Sequence, residues 1–356
     1  MLVYWAMFAV PAMSTLLLGT RRRLQATGYF APGIFLILVA FTVLVGLRYQ
    51  IGTDWFNYKR TIDDLYYADF TGALASKDAG FGVLVWTANR LGSGMYITNF
   101  VCAAVMMYGI ARFAYRQPDP WMALTAAVPY LIIVVGMGYT RQAAAIGLVL
   151  LAILAFERGN LARTVGYIVI AALFHGSSLL LLPLFGIVFV NRNPRLILPL
   201  GFLSLLLGTV LLSRRIDNLY SLYVARENAI DSSGAAIRVL MNVVPSALFL
   251  VMSRRFGLDR DSRLLWTLFA GGSVALLAIL PVFPSSTAID RAALYMIPVQ
   301  LFVFGRLPLV LGQTPHGARL ISFASILYYS AALFVWLHFA SNARNWLPYK
   351  MVLFSS

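Results

Sequence analysis

The chain has 356 residues, 60% of them apolar and only 12% charged, with 28 Lys and Arg against 13 Asp and Glu for a net charge of +15. Soluble domains carry about a quarter charged residues, so a soluble reading is excluded. The arginines are scattered between apolar segments instead of stacking on one soluble face, which excludes nucleic acid as a partner.

Apolar residues arrive in blocks of roughly 16–20, the length a helix needs to cross hydrocarbon. Backbone groups in lipid must be satisfied within their own segment, so the blocks are helices. The expected fold class is all-α: a polytopic integral membrane protein of about 12 transmembrane helices, one polytopic domain over residues 1–356. Spans are predicted near 2–19, 30–47, 95–113, 120–138, 141–157, 164–176, 177–190, 196–212, 236–253, 264–282, 289–304 and 320–339. The first is apolar from its second residue, and Arg21-Arg22-Arg23 follows the apolar stretch. That order is the reverse of a signal peptide and fits a retained first span. The single cysteine, Cys102, lies inside an apolar run, so no disulfide framework is expected.

Orientation follows from basic residues in short loops. Arg21–Arg23, Arg112, Arg116, Arg158, Arg163, Arg192, Arg195, Arg254, Arg255, Arg260 and Arg263 fall on one side, read as cytoplasmic. The other side also holds arginines at span ends, Arg48, Arg90, Arg141, Arg291 and Arg344, among most of the acidic residues. A topology signal alone would remove them, so a second demand is expected to keep them there; the plain alternative is span-end snorkelling.

Two outer loops are long, about 48–94 and 213–235. Their tyrosines and tryptophans predict packed, surface-lying helices. The stretch from Gly80 to Leu91 is too short to span and reads as an interfacial or re-entrant piece.

Four clusters could carry chemistry. In Arg48-Tyr49-Gln50-Ile51-Gly52-Thr53-Asp54…Tyr58, Asp54 and Tyr58 share a helical face. A carboxylate just outside the membrane suits a general base, and an Asp after Gly-Thr equally suits a helix N-cap. In Tyr139-Thr140-Arg141-Gln142, an arginine at a helix start makes an anion site suited to phosphate, or contacts lipid headgroups. Phe174-His175-Gly176-Ser177-Ser178 breaks an apolar run. Its histidine either relays protons or packs against a neighbouring carbonyl. Asp290-Arg291 with Tyr295 repeats the arginine-at-helix-start pattern, or forms a local ion pair. The closing Asn342…Arg344-Asn345-Trp346-Leu347-Pro348-Tyr349-Lys350 reads as an interfacial aromatic anchor. No Gly-rich phosphate loop and no metal-ligand spacing is present; His175, His316 and His338 are far apart.

In their order over nearly the whole chain, these clusters resemble the EpsG family of Wzy-type exopolysaccharide polymerases. The resemblance implies a fold similar to lipid-dependent GT-C glycosyltransferases, with the active site between span ends and long periplasmic loops. It implies undecaprenyl-pyrophosphate-linked oligosaccharide repeat units as substrates at the outer face of the bacterial inner membrane. The growing chain would pass from its lipid pyrophosphate to a sugar hydroxyl of the next unit. No nucleotide sugar, cofactor or metal is implied; the expected partners are lipid-linked glycans, the bilayer, and flippase and chain-length or export proteins. In this chemistry Asp54, or failing it His175, is the expected catalytic base. Arg48, Arg141 and Arg291 are the expected pyrophosphate clamp, with Tyr58, Gln142, Asp290 and Tyr295 binding or orienting substrate. The rivals are a lipid-linked-oligosaccharide flippase or other secondary transporter, which should show internal repeats and midplane polar residues, a membrane O-acyltransferase, and a non-catalytic assembly partner.

Overall fold

The computed structural model describes residues 1–18, 32–199, 201–202, 234–283 and 285–354. Arg21–Arg23, most of the predicted span 196–212 and nearly all of the predicted outer loop 213–235 lie outside the described residues. Among the described residues the structure is helical, with an isolated antiparallel bridge between Arg48 and Met351 and no strand. The protein is a polytopic membrane protein. Among the described residues, six helices are long and apolar enough to cross a bilayer: α6 (Gly94–Ala114), α7 (Pro120–Gly138), α8 (Thr140–Glu157), α11 (Ala235–Phe256), α12 (Arg260–Ile279) and α15 (Pro315–Phe339). A seventh span is the pair α13 (Ser286–Leu294) and α14 (Pro298–Leu311), bent by 46°. Shorter apolar helices are α1 (Leu2–Leu18), α2 (Pro32–Gly46), α9 (Leu161–Phe174) and α10 (Gly176–Arg192). Each predicted span other than 196–212 therefore has its helix.

Helix α7 is the axis of the bundle. Its sequence is apolar on every side, and a helix of that kind is covered all round; the whole of α7 is buried. Asp119 starts it by accepting from Met122 N at 2.9 Å, with Pro120 at the first helical position, where no N–H is needed. Val128–Val135 winds as a π-helix, a form that recurs beside functional sites. The span ends at Gly138, and α8 starts after Tyr139, whose φ −127° and ψ 60° break the helix. On the flank, α6 and α8 approach backbone to backbone: a Cβ on Gly109 would lie 2.1 Å from Gly147 O. Small residues permit this close approach in lipid.

The closing aromatic segment corrects the expectation of an interfacial anchor. Trp346 is 1% exposed; its indole donates to Ile133 O at 3.1 Å, inside the π-helical turn, and its carbonyl accepts from Tyr4 Oη at 2.6 Å. Tyr349 Oη donates to Leu44 O at 2.8 Å. Backbone bonds tie the same segment to the end of α2: Tyr49 N to Lys350 O, Gly52 N to Asn345 O and Val352 N to Leu47 O, each 3.0 Å. The polar groups of Trp346 and Tyr349 are satisfied by the protein itself, so the segment is a clasp on the bundle.

Between α2 and α6 the outer loop folds into three short packed helices, α3 (Trp55–Asp64), α4 (Phe70–Leu74) and α5 (Ala79–Arg90). Side chains reach between them, Asn89 Nδ2 to Ile62 O at 2.8 Å and Trp86 Nε1 to Ala68 O at 3.1 Å. At 12 residues α5 is about 18 Å long, too short to span.

Candidate active site

The ends of several helices converge on one polar cleft. It takes Asp54 and Tyr58 from α3, Lys77 and Asp78 from the start of α5, and Tyr139, Arg141 and Gln142 from the α7–α8 turn. His175, Gly176 and Ser177 enter from the α9–α10 break and Arg291 from α13, around a small cavity of about 50 Å³. The break forms because His175 is extended, at φ −155° and ψ 106°, between two helical segments. All of these positions are span ends or outer-loop residues on one face of the bundle.

Two carboxylates here occupy helix N-caps without capping. Asp69, Asp119 and Asp259 each accept a backbone N–H from their own helix. Asp54 and Asp78 hold the same position at α3 and α5, and neither side chain does so. A cap bond contributes about 1 kcal/mol, and both groups forgo it: Asp78 bonds Arg141 across the cleft, and Asp54 accepts from the Asn57 amide at 3.4 Å. Burial raises the Asp54 carboxyl above the usual aspartate range, while Arg291, the Asn57 amide and Arg141 pull it back. The result is a carboxylate poised to take up a proton, with two guanidinium groups in its field.

Arg141 sits over the contacting ring pair of Tyr58 and Phe81, at 5.5 and 5.6 Å from their centroids, a cation–π arrangement. Its Nη1 donates to Asp78 Oδ2 at 2.7 Å. Its Nε is buried and makes no hydrogen bond among the described residues, while the side chain as a whole keeps 30% exposure to the cleft. Burial pushes the Tyr58 hydroxyl up to about 12, opposed by Arg141, and it stays protonated at neutral pH. Gln142 Nε2 donates to Arg291 O at 2.7 Å and fixes α13 against α8. Behind the cleft, Tyr295 Oη lies 2.9 Å from His175 Nδ1 and sets the imidazole plane.

Besides Tyr295, which is 1% exposed and faces His175 from outside the cleft, two more of the sequence-predicted ligand residues lie elsewhere. Arg48 is 1% exposed. Its Nε donates to Met137 O at 2.9 Å, its Nη1 to Val45 O at 2.6 Å and its Nη2 to Thr140 Oγ1 at 2.7 Å. With every nitrogen committed to the protein, it has nothing to offer a pyrophosphate and instead braces the turns that carry Asp54 and Arg141. Asp290 is buried and held in a bidentate pair by Arg238, Nε to Oδ1 at 2.7 Å and Nη2 to Oδ2 at 2.9 Å. Successive positions on α13 point apart, so Arg291 faces the cleft and Asp290 faces α11.

A family model described as the EpsG family matches residues 33–351. The chain belongs to the EpsG family. No curated protein and no solved structure matches it. The match contains every residue of the cleft, and EpsG membership supports a polysaccharide-polymerase role in a membrane setting.

Within this EpsG protein the cleft also contains groups that the sequence reasoning passed over. Asp78, Lys77 and Tyr139 carry no role in the reading of the sequence and join the site only in the fold. The available signal was a Lys-Asp pair immediately before a short apolar helix, the same placement that drew attention to Asp54.

Proposed function

We propose that the protein is a glycosyltransferase of the Wzy type, joining undecaprenyl-pyrophosphate-linked repeat units into an exopolysaccharide in the bacterial inner membrane. The cleft faces the periplasm in this reading, and the whole chain works as one membrane domain of GT-C-like design. The observation that carries the proposal is the meeting of Asp54 with Arg141 and Arg291 at the outer ends of separate helices.

Asp54 takes the proton of an acceptor sugar hydroxyl as that oxygen attacks the anomeric carbon of the donor chain. The bond from that carbon to the pyrophosphate oxygen breaks, and lipid pyrophosphate leaves with the electron pair. A single displacement of this kind inverts the anomeric centre. Negative charge grows on the leaving group, so fixed cations that are in place beforehand contribute most. Arg141 and Arg291 are those cations, with Tyr58 and Gln142 holding their surroundings. His175, oriented by Tyr295, is the second candidate for the proton. Arg48 acts from outside the pocket.

The test is polymerisation of a lipid-linked repeat unit by purified protein in lipid nanodiscs. Asp54→Ala should abolish chain growth. Normal polymerisation by both Asp54→Ala and His175→Ala would show that neither is the base.

A further inference from the structure

Asp78 is buried at 5% exposure and reaches two other segments at once. Oδ2 accepts from Arg141 Nη1 at 2.7 Å and Oδ1 from Gly176 N at 3.3 Å. One carboxylate thus joins the start of α5, the start of α8 and the α9–α10 break, the three places that supply most of the cleft. Its position offers it the free amides of α5, yet its side chain turns away from them. A charge-assisted bond to a guanidinium is roughly twice as strong as a neutral one, which accounts for the choice.

From this geometry we infer that Asp78 is a positioning residue. It holds Arg141 by one nitrogen against Tyr58 and Phe81, aiming the rest of the fork into the cleft and away from Asp54. The inference rests on the polymerase reading for its substrate, a lipid pyrophosphate. The charged and titratable groups facing this corner are Asp54, Tyr58, Lys77, Tyr139, His175 and Arg291. Of these, Asp54 is the other carboxylate. Without Asp78, Arg141 turns to it, engaging the base and leaving the pyrophosphate with one cation fewer. The loop also loses its bond to the Gly176 amide, so the His175 turn is set less firmly.

A double-mutant cycle tests this on the full chain in nanodiscs, combining Asp78→Asn with Arg141→Ala. Two readouts are taken: binding of inorganic pyrophosphate, and polymerisation of a lipid-linked repeat unit. Asp78→Asn should weaken pyrophosphate binding by about fivefold or more, yet add less than about twofold when Arg141 is already Ala, since partners in one network are not additive. In polymerisation Asp78→Asn should raise KM more than it lowers kcat, and shift the acidic limb of the pH–rate profile to lower pH, because a cation drawn to Asp54 favours its ionised form. Asp78→Glu, which keeps the charge, should recover much of the loss, and Asp78→Ser takes the place of Asn in the cycle if Asp78→Asn does not fold. Independent, multiplying losses in the two single variants, or unchanged pyrophosphate binding in Asp78→Asn, would overturn the assignment. A wild-type protein that shows the binding cycle but makes no polymer would instead sink the polymerase reading and leave Asp78 in its role.

Discussion

Arg48 Nε donates to the carbonyl of Met137 at 2.9 Å, across 89 residues of chain, and the same guanidinium reaches Thr140 Oγ1 at 2.7 Å. The end of α2 is thereby locked to the end of α7 and the start of α8. Asp54 and Arg141 stand on the two sides of that lock.

Arg48→Lys should therefore act as a stability mutation. Burial draws the Arg48 guanidinium down to about 10, so it remains charged, and a lysine would bury the same charge with fewer donors. The expected cost is about 3 kcal/mol, read as a lowered unfolding temperature of the purified protein. An unchanged melting curve together with lost pyrophosphate binding would return Arg48 to the clamp.

The pH dependence has a fixed sign. A base must be ionised to act, and the Asp54 carboxyl is raised by burial, so activity should fall as pH drops through a point above the ordinary aspartate value. Arg291 lowers that point. Arg291→Gln should move the acidic limb of the pH–rate profile upward, in the direction opposite to Asp78→Asn. A limb that stays in place in both variants would remove Asp54 from the titration.

Arg141→Lys keeps the charge and loses the planar fork, so it cannot hold Asp78 and a phosphate oxygen together. The expected loss in kcat/KM is on the order of tenfold to a hundredfold. Steady-state polymerisation decides it, and wild-type rates in the lysine variant would mean that a point charge suffices.

Gly52 has φ +103°, and a Cβ there would lie 2.3 Å from Met137 O. Gly52→Ala should cost about 2 kcal/mol or more and lower activity by displacing Asp54 two residues on. The outcome that counts against this is an alanine variant with wild-type melting temperature and rate.

Much of this arrangement was legible from residues alone, and the exceptions share a cause. Apolar runs mark helices such as α7 and α8 to within a residue or two because the bilayer sets one length for all of them. The motifs around Asp54, Arg141 and His175 stood out as polar islands at span ends, and they share the cleft. Arg48 and Arg141 look equivalent in sequence, each an arginine at an outer span end. Which one keeps donors for a ligand depends on carbonyls and carboxylates far along the chain, Met137 for the first and Asp78 for the second. Asp78 itself is one acid among several in a polar loop, and its place is decided by the packing of α5 against α8 and α9. The closing Trp-Leu-Pro-Tyr segment reads as an interfacial belt by composition, whereas its role is set by partners more than two hundred residues earlier, Ile133 and Tyr4.

That closing segment also constrains the order in which the protein can assemble. The turn that presents Asp54 is bonded to residues 345–352, about three hundred positions downstream, so it has no template while the intervening helices are entering the membrane. Pairings over such separations form late, and the carboxylate meets its arginines only after the last helices are inserted. A membrane protein built this way completes the turn before Asp54 only when its closing segment docks.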